Sequence, residues 1–497
     1  MDVIIVVFKM RILLIQPKYV FQGIIPLTVT MPLGLCYLAA IVRQRGHEVK
    51  ILDCLAEGYK HQEKRGGNVV YGLSDDEILK RIESFSPQLI GCSALFSCQS
   101  DMTDELCRLI KQHYEHIPIV TGGMHATVHP HELLASPAID FVLRGEADYT
   151  FADLVDALEN HKDYSQIDGI GYKTEDGQVI VREKNFFIQD IDSIPFPARD
   201  LLSVDIYYNA GLAHGLVLKS KKNINLITSR GCPASCIFCT IHQLWGRKFR
   251  ARTALNVLAE LEQIKNQYVA EHIQFEDDNL TFDIERAKEI FRGMIEKKFN
   301  FSWNTPNGVA LWRMDEEALR LMKKAGCYSV TFAVESGSQR VLTEVIKKPQ
   351  RLDHVVPLID YARKIGLNVG SFFVVGFPGE TKAEIQETFQ FPYKTKLDWA
   401  QFNIASPHFG TELRRIVQEN GWLSEHTNSQ LGTGLINTPD FDAQWLTNKI
   451  MKEYRRYLFY LLTHRPWVFW KIGTSIIRNN SLFVFHMLLK IFRGRRS

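Results

Sequence analysis

Three cysteines fall within eight residues of the stretch SRGCPASCIFC, at Cys232, Cys236 and Cys239. Thiolates spaced x3 and x2 along one loop can reach a metal centre together. A tetrahedral zinc site takes a fourth ligand, usually from a second paired motif. No C-x2-C or H-x3-H pair follows, which leaves Cys327 or a distant histidine to complete a zinc knuckle. An iron–sulfur cluster on three cysteines is the alternative, and it keeps one iron open to an exogenous ligand. Unrelated structural thiols are the third reading.

The elements that must position this loop are readable around it. INLITS reads as a strand running straight into the cysteines. HIQFED, SVTFAVE and VGSFFVVG are further strand candidates, alternating with helices such as ALNVLAELEQIKNQ and MDEEALRLMKKAG. Residues 216–430 are therefore expected to form a complete or partial (β/α) TIM-type barrel, with the cysteines at the C-terminal mouth of its first strand, where such barrels do their chemistry.

Residues 10–160 show a second alternation. The short apolar runs RILLIQ, HEVKILD, LIGCSAL, PIVTGG and FVLRGE are separated by helical stretches such as GLCYLAAIVRQRG, which ends at a C′ glycine, Gly46. That is the pattern of a Rossmann-like, doubly wound α/β domain. Residues 161–215 read as a β-hairpin turning at Glu175, Asp176 and Gly177, then a proline-bearing linker. Residues 431–497 read as a helical basic tail.

Composition narrows the classes. Hydrophobic residues make up 45% and charged residues 23% of 497, an ordinary globular balance. Net charge is +3, yet residues 451–497 hold ten Lys or Arg against one acid, Glu453, leaving the rest mildly acidic. No whole-chain basic field points to nucleic acid. Nine cysteines, six of them scattered in mostly apolar surroundings, fit free thiols in a reducing cytosol better than a disulfide framework. The apolar start is too short to span a bilayer and lacks a cleavage site, so no signal peptide is expected, and Met10 is an alternative start.

C-x3-C-x2-C with an aromatic, Phe238, before the last cysteine resembles the radical S-adenosylmethionine (SAM) signature, and the likeness extends through most of 223–415. It implies a [4Fe–4S] cluster on Cys232, Cys236 and Cys239, with SAM on the open iron. Electron transfer into SAM would then yield a 5′-deoxyadenosyl radical. It further implies that Asp277 or Asp278, in FEDDNLTFD, meets the methionyl amino group, although the Gly-Gly-Glu usual in other branches is absent. Glu335 and Ser336, in FAVESGS, match the strand end that meets the ribose. Gly376, Pro378 and Gly379, in VVGFPGE, match the turn beside the adenine. The plainer readings are a carboxylate at a helix N-terminus for Glu335 and an ordinary tight loop for the glycine turn.

The first 160 residues resemble a cobalamin-binding domain, whose pattern is D-x-H-x-x-G, then S-x-L, then G-G. Asp53, Leu55 and Gly58 stand at the first element, so leucine occupies the histidine position. Ser93 and Leu95 stand at the second, and Gly122 and Gly123 at the third. The resemblance implies glycines that admit the buried tail of cobalamin, Ser93 hydrogen-bonded to it, and cobalt without an imidazole from position 55. His125 is then expected at the corrin periphery rather than on cobalt. A flavodoxin-like module with another ligand is the plainer reading.

Both signatures in one chain imply a cobalamin-dependent radical SAM enzyme, a methyltransferase moving methyl from methylcobalamin to an unactivated carbon. The alternatives are non-methylating chemistry such as oxidative cyclisation or rearrangement, and a cobalamin-binding regulator. The expected partners are a small-molecule or lipid-like substrate and a one-electron reductant such as flavodoxin or ferredoxin. The expected location is cytoplasmic. The basic aromatic tail reads either as a helical cap whose apolar face packs on the barrel, or as an amphipathic helix pair touching the inner face of the membrane.

Overall fold

The computed structural model describes residues 9–21, 27–211, 213–215, 218–424 and 435–478. The chain forms two compact units. The first is built mainly on Met31–Ala210 and takes in the first strand; the second is built on Gly211–His242 and the chain from Arg247 onward.

In the first unit, Arg11–Gln16 is a strand because Ile12, Leu13, Leu14 and Ile15 are all buried, the continuous apolar run of a strand covered on both faces. It is flanked by Glu48–Asp53 on one side and Leu89–Ser93 on the other, followed by Ile119–Gly122 and Phe141–Leu143, all parallel. All five expected strands are present, in the doubly wound order 2-1-3-4-5. That order reverses direction beside Arg11–Gln16, which opens a crevice outside the strand C-termini at Gln16 and Ser93. The helix Leu33–Gln44 ends just before Gly46, which has φ +91°. The expected hairpin pairs Ile170–Lys173 with Val179–Val181 and extends this same sheet, antiparallel to Phe141–Leu143. A small antiparallel sheet of Tyr19–Phe21, Asn68–Tyr71 and Gln62–Arg65 was not expected.

The second unit is a six-stranded parallel sheet in chain order: Asn223–Leu226, His272–Phe275, Ser302–Val309, Cys327–Glu335, Asn368–Val375 and Trp399–Ile404. Helices follow the strands, and their starts are marked by side-chain caps at Thr253, Asp283, Asp315, Thr381 and Thr411. Among the described residues the first and last strands do not pair, so the barrel is open and partial. Behind the sheet, Trp303 packs edge to face with Phe275 at 5.1 Å and stacks on Phe291 at 5.3 Å. The basic tail begins as the helices Ala443–His464 and Pro466–Arg478. Its longest charge-free run, 479–489, lies outside the described residues.

Candidate active site

The cysteine loop begins where the strand Asn223–Leu226 ends, after a two-residue pairing of Ser229–Arg230 with Arg250–Ala251. Gly231, with φ +82°, turns the chain into it. Ile237 pins the loop from inside: its N–H donates to Ile346 O at 3.1 Å, and its carbonyl accepts from Leu413 N at 2.9 Å. Ile346 ends a π-helical turn, Val341–Ile346, of the kind that often marks functional sites. Phe238 leans on Phe377 of the glycine turn, ring centroids 5.6 Å apart. Two parts of the expected SAM site are thus adjacent.

The donor set fits a multi-iron centre. A single tetrahedral zinc needs sulfurs about 3.8 Å apart. Among the described residues, the trio of potential ligand atoms lying within 4.8 Å of one another is His47, Asp156 and Glu159, not the three thiols. In that trio Asp156 is already held by Arg45 at 2.6 Å. Burial pushes the Cys236 thiol up to about 12 and Cys239 to about 11, so it would take a bound cationic centre to make them thiolates. Asn279 Nδ2 donates to Cys232 Sγ at 2.8 Å, which favours the charged sulfur.

The two acids at the second strand end divide. Asp277 is buried and fully engaged: its carboxylate accepts from Thr228 N at 3.1 Å, Thr228 Oγ1 at 2.7 Å and Ser229 Oγ at 2.5 Å. It holds the turn into the cysteine loop. Asp278 is exposed at its surface but closely surrounded by protein. Burial first, then Asp277 and Glu276, push it up to about 7.

Glu335 closes the fourth strand at φ +69°, a strained conformation for a side chain of this size. Its carboxylate accepts from Lys348 Nζ at 2.8 Å, with both groups buried. Burial works against the Lys348 ammonium, but Glu335, with Cys236 and Cys232, more than offsets it and holds the amine above its usual value. The same positive charge acts on Cys232 and Cys236, where it offsets part of the rise that burial gives both thiols. Ser336 is occupied within the fold, with its Oγ 3.1 Å from Thr388 Oγ1 and accepting from Ser338 N. In the glycine turn, Glu380 accepts from Gly376 N at 2.7 Å and Phe377 N at 3.1 Å, and Pro378 leads to Gly379 at φ +83°.

In the first unit, Asp53 caps the short helix Cys54–Glu57 that carries Leu55, accepting from Ala56 N at 2.9 Å. Gly58 packs against backbone rather than a ligand: a Cβ there would lie 2.1 Å from Gly72 C. The second and third motif elements are laced together. Ala94 N donates to Gly122 O at 2.7 Å and His125 N to Ala94 O at 3.0 Å. Gly123, φ +120°, lets this happen, since a Cβ would lie 2.7 Å from Ala94 O. A Cβ on Gly122 would meet nothing nearer than 3.8 Å, so a slot remains beside it. Ser93 ends its strand at the crevice, and Leu95 and Phe96 are 42% and 56% exposed just beyond it, an apolar rim. His125 is buried, its Nδ1 3.0 Å from Ser97 Oγ and its ring stacked on His129 at 4.8 Å. Burial and His129 bring it down to about 4, so it is neutral. Glycine slot, apolar rim and leucine at position 55 together fit a cobalamin held without a histidine from the first motif.

The B12 binding domain model matches residues 26–155, and the Radical SAM superfamily model matches residues 226–391. A cytidylyl-2-hydroxyethylphosphonate methyltransferase of Streptomyces wedmorensis is 35% identical over 462 residues, covering 86% of each chain. The chain belongs to the radical SAM enzymes that carry a B12-binding domain. An uncharacterized methyltransferase of Pyrococcus horikoshii is 35% identical over 417 residues, 83% of this chain and 84% of that one. The fold is shared with the radical SAM methyltransferase TsrM of Kitasatospora setae, solved with tryptophan and a SAM analogue. That match has TM-score 0.65 at 17% identity, over 83% of this chain and 76% of the other.

As a B12-binding radical SAM enzyme, the chain works with a [4Fe–4S] cluster, SAM and cobalamin. Three residues of this radical SAM enzyme escaped sequence reasoning. Asn279 sits within the acidic stretch FEDDNLTFD, where a single amide carries no pattern of its own. Lys348 lies 13 residues beyond Glu335 with no local pattern to mark it. Tyr207, which donates to Asp53 at 2.8 Å, comes from a stretch that read as linker.

Proposed function

We propose that the chain is a C-methyltransferase acting on an unactivated carbon of a small molecule. The observation that carries this reading is the relative named as a methyltransferase, which aligns through both units at 35% identity. When bound, the cluster and SAM supply a 5′-deoxyadenosyl radical, and methylcobalamin supplies the methyl group. The chain's own residues bind and orient. Cys232, Cys236 and Cys239 hold the cluster, and Asn279 steadies Cys232 through its N–H. Asp278, the accessible acid, takes the methionyl amino group, and Lys348 with Glu335 sets a charged but compensated pair beside the cysteines. Gly376 and Gly379 shape the turn for the adenine. Gly122, Gly123, Ser93 and Leu95 receive the cobalamin tail, with Leu55 leaving cobalt without an imidazole.

The test is anaerobic reconstitution with iron, sulfide and cobalamin, a one-electron reductant such as flavodoxin, and SAM. Cytidylyl-2-hydroxyethylphosphonate is the first compound to try. One S-adenosylhomocysteine and one 5′-deoxyadenosine per methylated product is the expected count. Product and 5′-deoxyadenosine without stoichiometric S-adenosylhomocysteine would instead establish a cyclisation or rearrangement.

A cytoplasmic location with peripheral membrane contact is supported by two observations. Eight of the nine free cysteines need no oxidising partner to explain them beyond burial or the cluster, and Phe459, Trp467 and Trp470 are exposed on the tail helices at 66%, 54% and 72%. No helix among the described residues is long and apolar enough to cross a membrane. Co-sedimentation with anionic vesicles should fall when the chain is truncated at 445; equal binding with and without the tail would remove the membrane reading.

A further inference from the structure

The strands of the second unit have two unlike faces. Phe275 and Trp303 pack with Phe291, on the helix Ile284–Glu296, and so mark the helix-facing side. Side chains alternate along a strand, so Gln274 and Asn304 face the barrel interior. In register they lie between Asn225 on one neighbouring strand and Ser329 on the other. Barrel interiors are usually filled by branched aliphatic side chains. Here three amides and a hydroxyl cross four adjacent strands.

Part of this row is spoken for. Gln274 Oε1 accepts from His214 N at 3.2 Å, and its Nε2 donates to His214 O. One pleat nearer the strand C-termini, Glu276 meets His214 Nδ1 at 3.2 Å and accepts from Asn307 Nδ2 at 3.1 Å. Asn304 is different. It is 6% exposed, and its Oδ1 is buried with no hydrogen-bond partner. Gly215, at φ +117°, brings its backbone close above it, where a Cβ would stand 3.3 Å from Asn304 Nδ2. A buried amide acceptor left unpaired is costly, and the row sits below the mouth where the cysteine loop emerges.

We propose that Asn304 Oδ1, on the floor of this recess, accepts a hydrogen bond from a hydroxyl or amino group of the substrate, so that the substrate is a polar, water-soluble compound and not a hydrocarbon lipid. The proposal rests on the methyl-transfer reading for what is done to that substrate. A hydroxyl or amine supplies the donor that the orphaned oxygen lacks. A hydrocarbon would leave it unpaired, and sites built to bind a hydroxyl reject analogues without one strongly. At the rim, Glu276 outweighs the effect of burial and holds the His214 imidazole above its usual value.

Two measurements test this. The first is the melting temperature of the reconstituted protein without substrate, wild type against Asn304→Leu. Replacing an unpaired acceptor by an apolar side chain of similar size should raise Tm by about 2–4 °C. An unchanged or lower Tm overturns the proposal, because Asn304 would then be satisfied within the fold. The second is incubation of the holoenzyme, reductant and methyl-deuterated SAM with the aqueous and the chloroform-soluble fractions of an extract of the source organism. Label is expected in a hydroxyl- or amine-bearing compound of the aqueous fraction, with at least a tenfold lower yield from Asn304→Leu. Label in a chloroform-soluble compound overturns the proposal and leaves methyl transfer standing. 5′-Deoxyadenosine formed with label in neither fraction defeats methyl transfer instead, and the melting temperature then decides the recess.

Discussion

Tyr207 donates its hydroxyl to the buried carboxylate of Asp53 at 2.8 Å, from 154 residues further along the chain. Asp53 is the first residue of the cobalamin motif, and Leu55 stands where that motif carries histidine. With no imidazole to engage, the carboxylate divides its oxygens between Ala56 N, as a helix cap, and Tyr207. Asp53 thereby fastens the helix Val204–Ala210.

Burial of that carboxylate makes stability depend on pH in a predictable direction. Burial raises Asp53 to about 6, and the hydrogen bonds from Ala56 and Tyr207 offset only part of this. Below about pH 4 the carboxyl is protonated in folded and unfolded chains alike, so it carries no penalty. As pH rises from about 4 to 6 the unfolded chain ionises first and the fold loses stability; above about 6 the loss is constant. Asp53→Asn keeps a capping side chain without the charge. It should gain on the wild type by about 2–3 kcal/mol across that window. Melting both proteins at pH 4 and pH 7 checks it; the same offset at both would refute it.

The parts of the fold that were legible in the sequence are those with strong periodicity. All five parallel strands of the first sheet stood out as apolar runs between helices. Ser302–Val309 did not, because SWNTPNGV carries Pro306, Gly308 and two asparagines within eight residues. Its polar side faces the barrel interior, so the feature that hid the strand is the one that bears on substrate. The cluster cysteines were legible because their spacing is itself the chemistry. Lys348 and Tyr207 were not, since each acts through a contact closed by tertiary folding, with no local signal.

The cobalt should carry no imidazole from this chain. Leu55 cannot ligate, and His125 is buried with its Nδ1 held by Ser97 and its ring stacked on His129. The electron paramagnetic resonance spectrum of the cob(II)alamin-loaded protein is expected to lack nitrogen splitting from a protein histidine. His125→Ala should leave that spectrum unchanged while weakening cobalamin retention through the loss of packing. Nitrogen splitting abolished by His125→Ala would make it the ligand and reverse the assignment.

Removing Lys348 should expose how finely the wall beside the cysteines is compensated. Lys348→Met strands a buried Glu335 and is expected to cost about 3–5 kcal/mol, whereas the Lys348→Met/Glu335→Leu pair should recover most of it. Denaturant unfolding measures both. The charge also faces the sulfurs of Cys232 and Cys236. Its loss in Lys348→Met alone, with Glu335 kept, should therefore move the cluster's reduction potential to more negative values in the protein that folds, which a redox titration without SAM reads directly. An unchanged potential would reduce the pair to a structural role.

Gly376 and Gly379 both have positive φ, at +90° and +83°, but their surroundings differ. A Cβ on Gly376 would lie 2.2 Å from Leu446 Cδ2, a buried side chain of the helix Ala443–His464; on Gly379 it would meet nothing within 4 Å. Gly376→Ala therefore combines backbone strain with overpacking, about 2–5 kcal/mol, against about 1–2 kcal/mol for Gly379→Ala. The order of their melting temperatures checks the packing argument. Binding checks the functional one: if the adenine lies against this turn, the open space at Gly379 is where it goes. Gly379→Ala should then raise the SAM dissociation constant at least several-fold while the protein stays nearly as stable. A dissociation constant equal to that of the wild type would make the turn an ordinary tight loop, with Glu380 as its cap and no part in holding SAM.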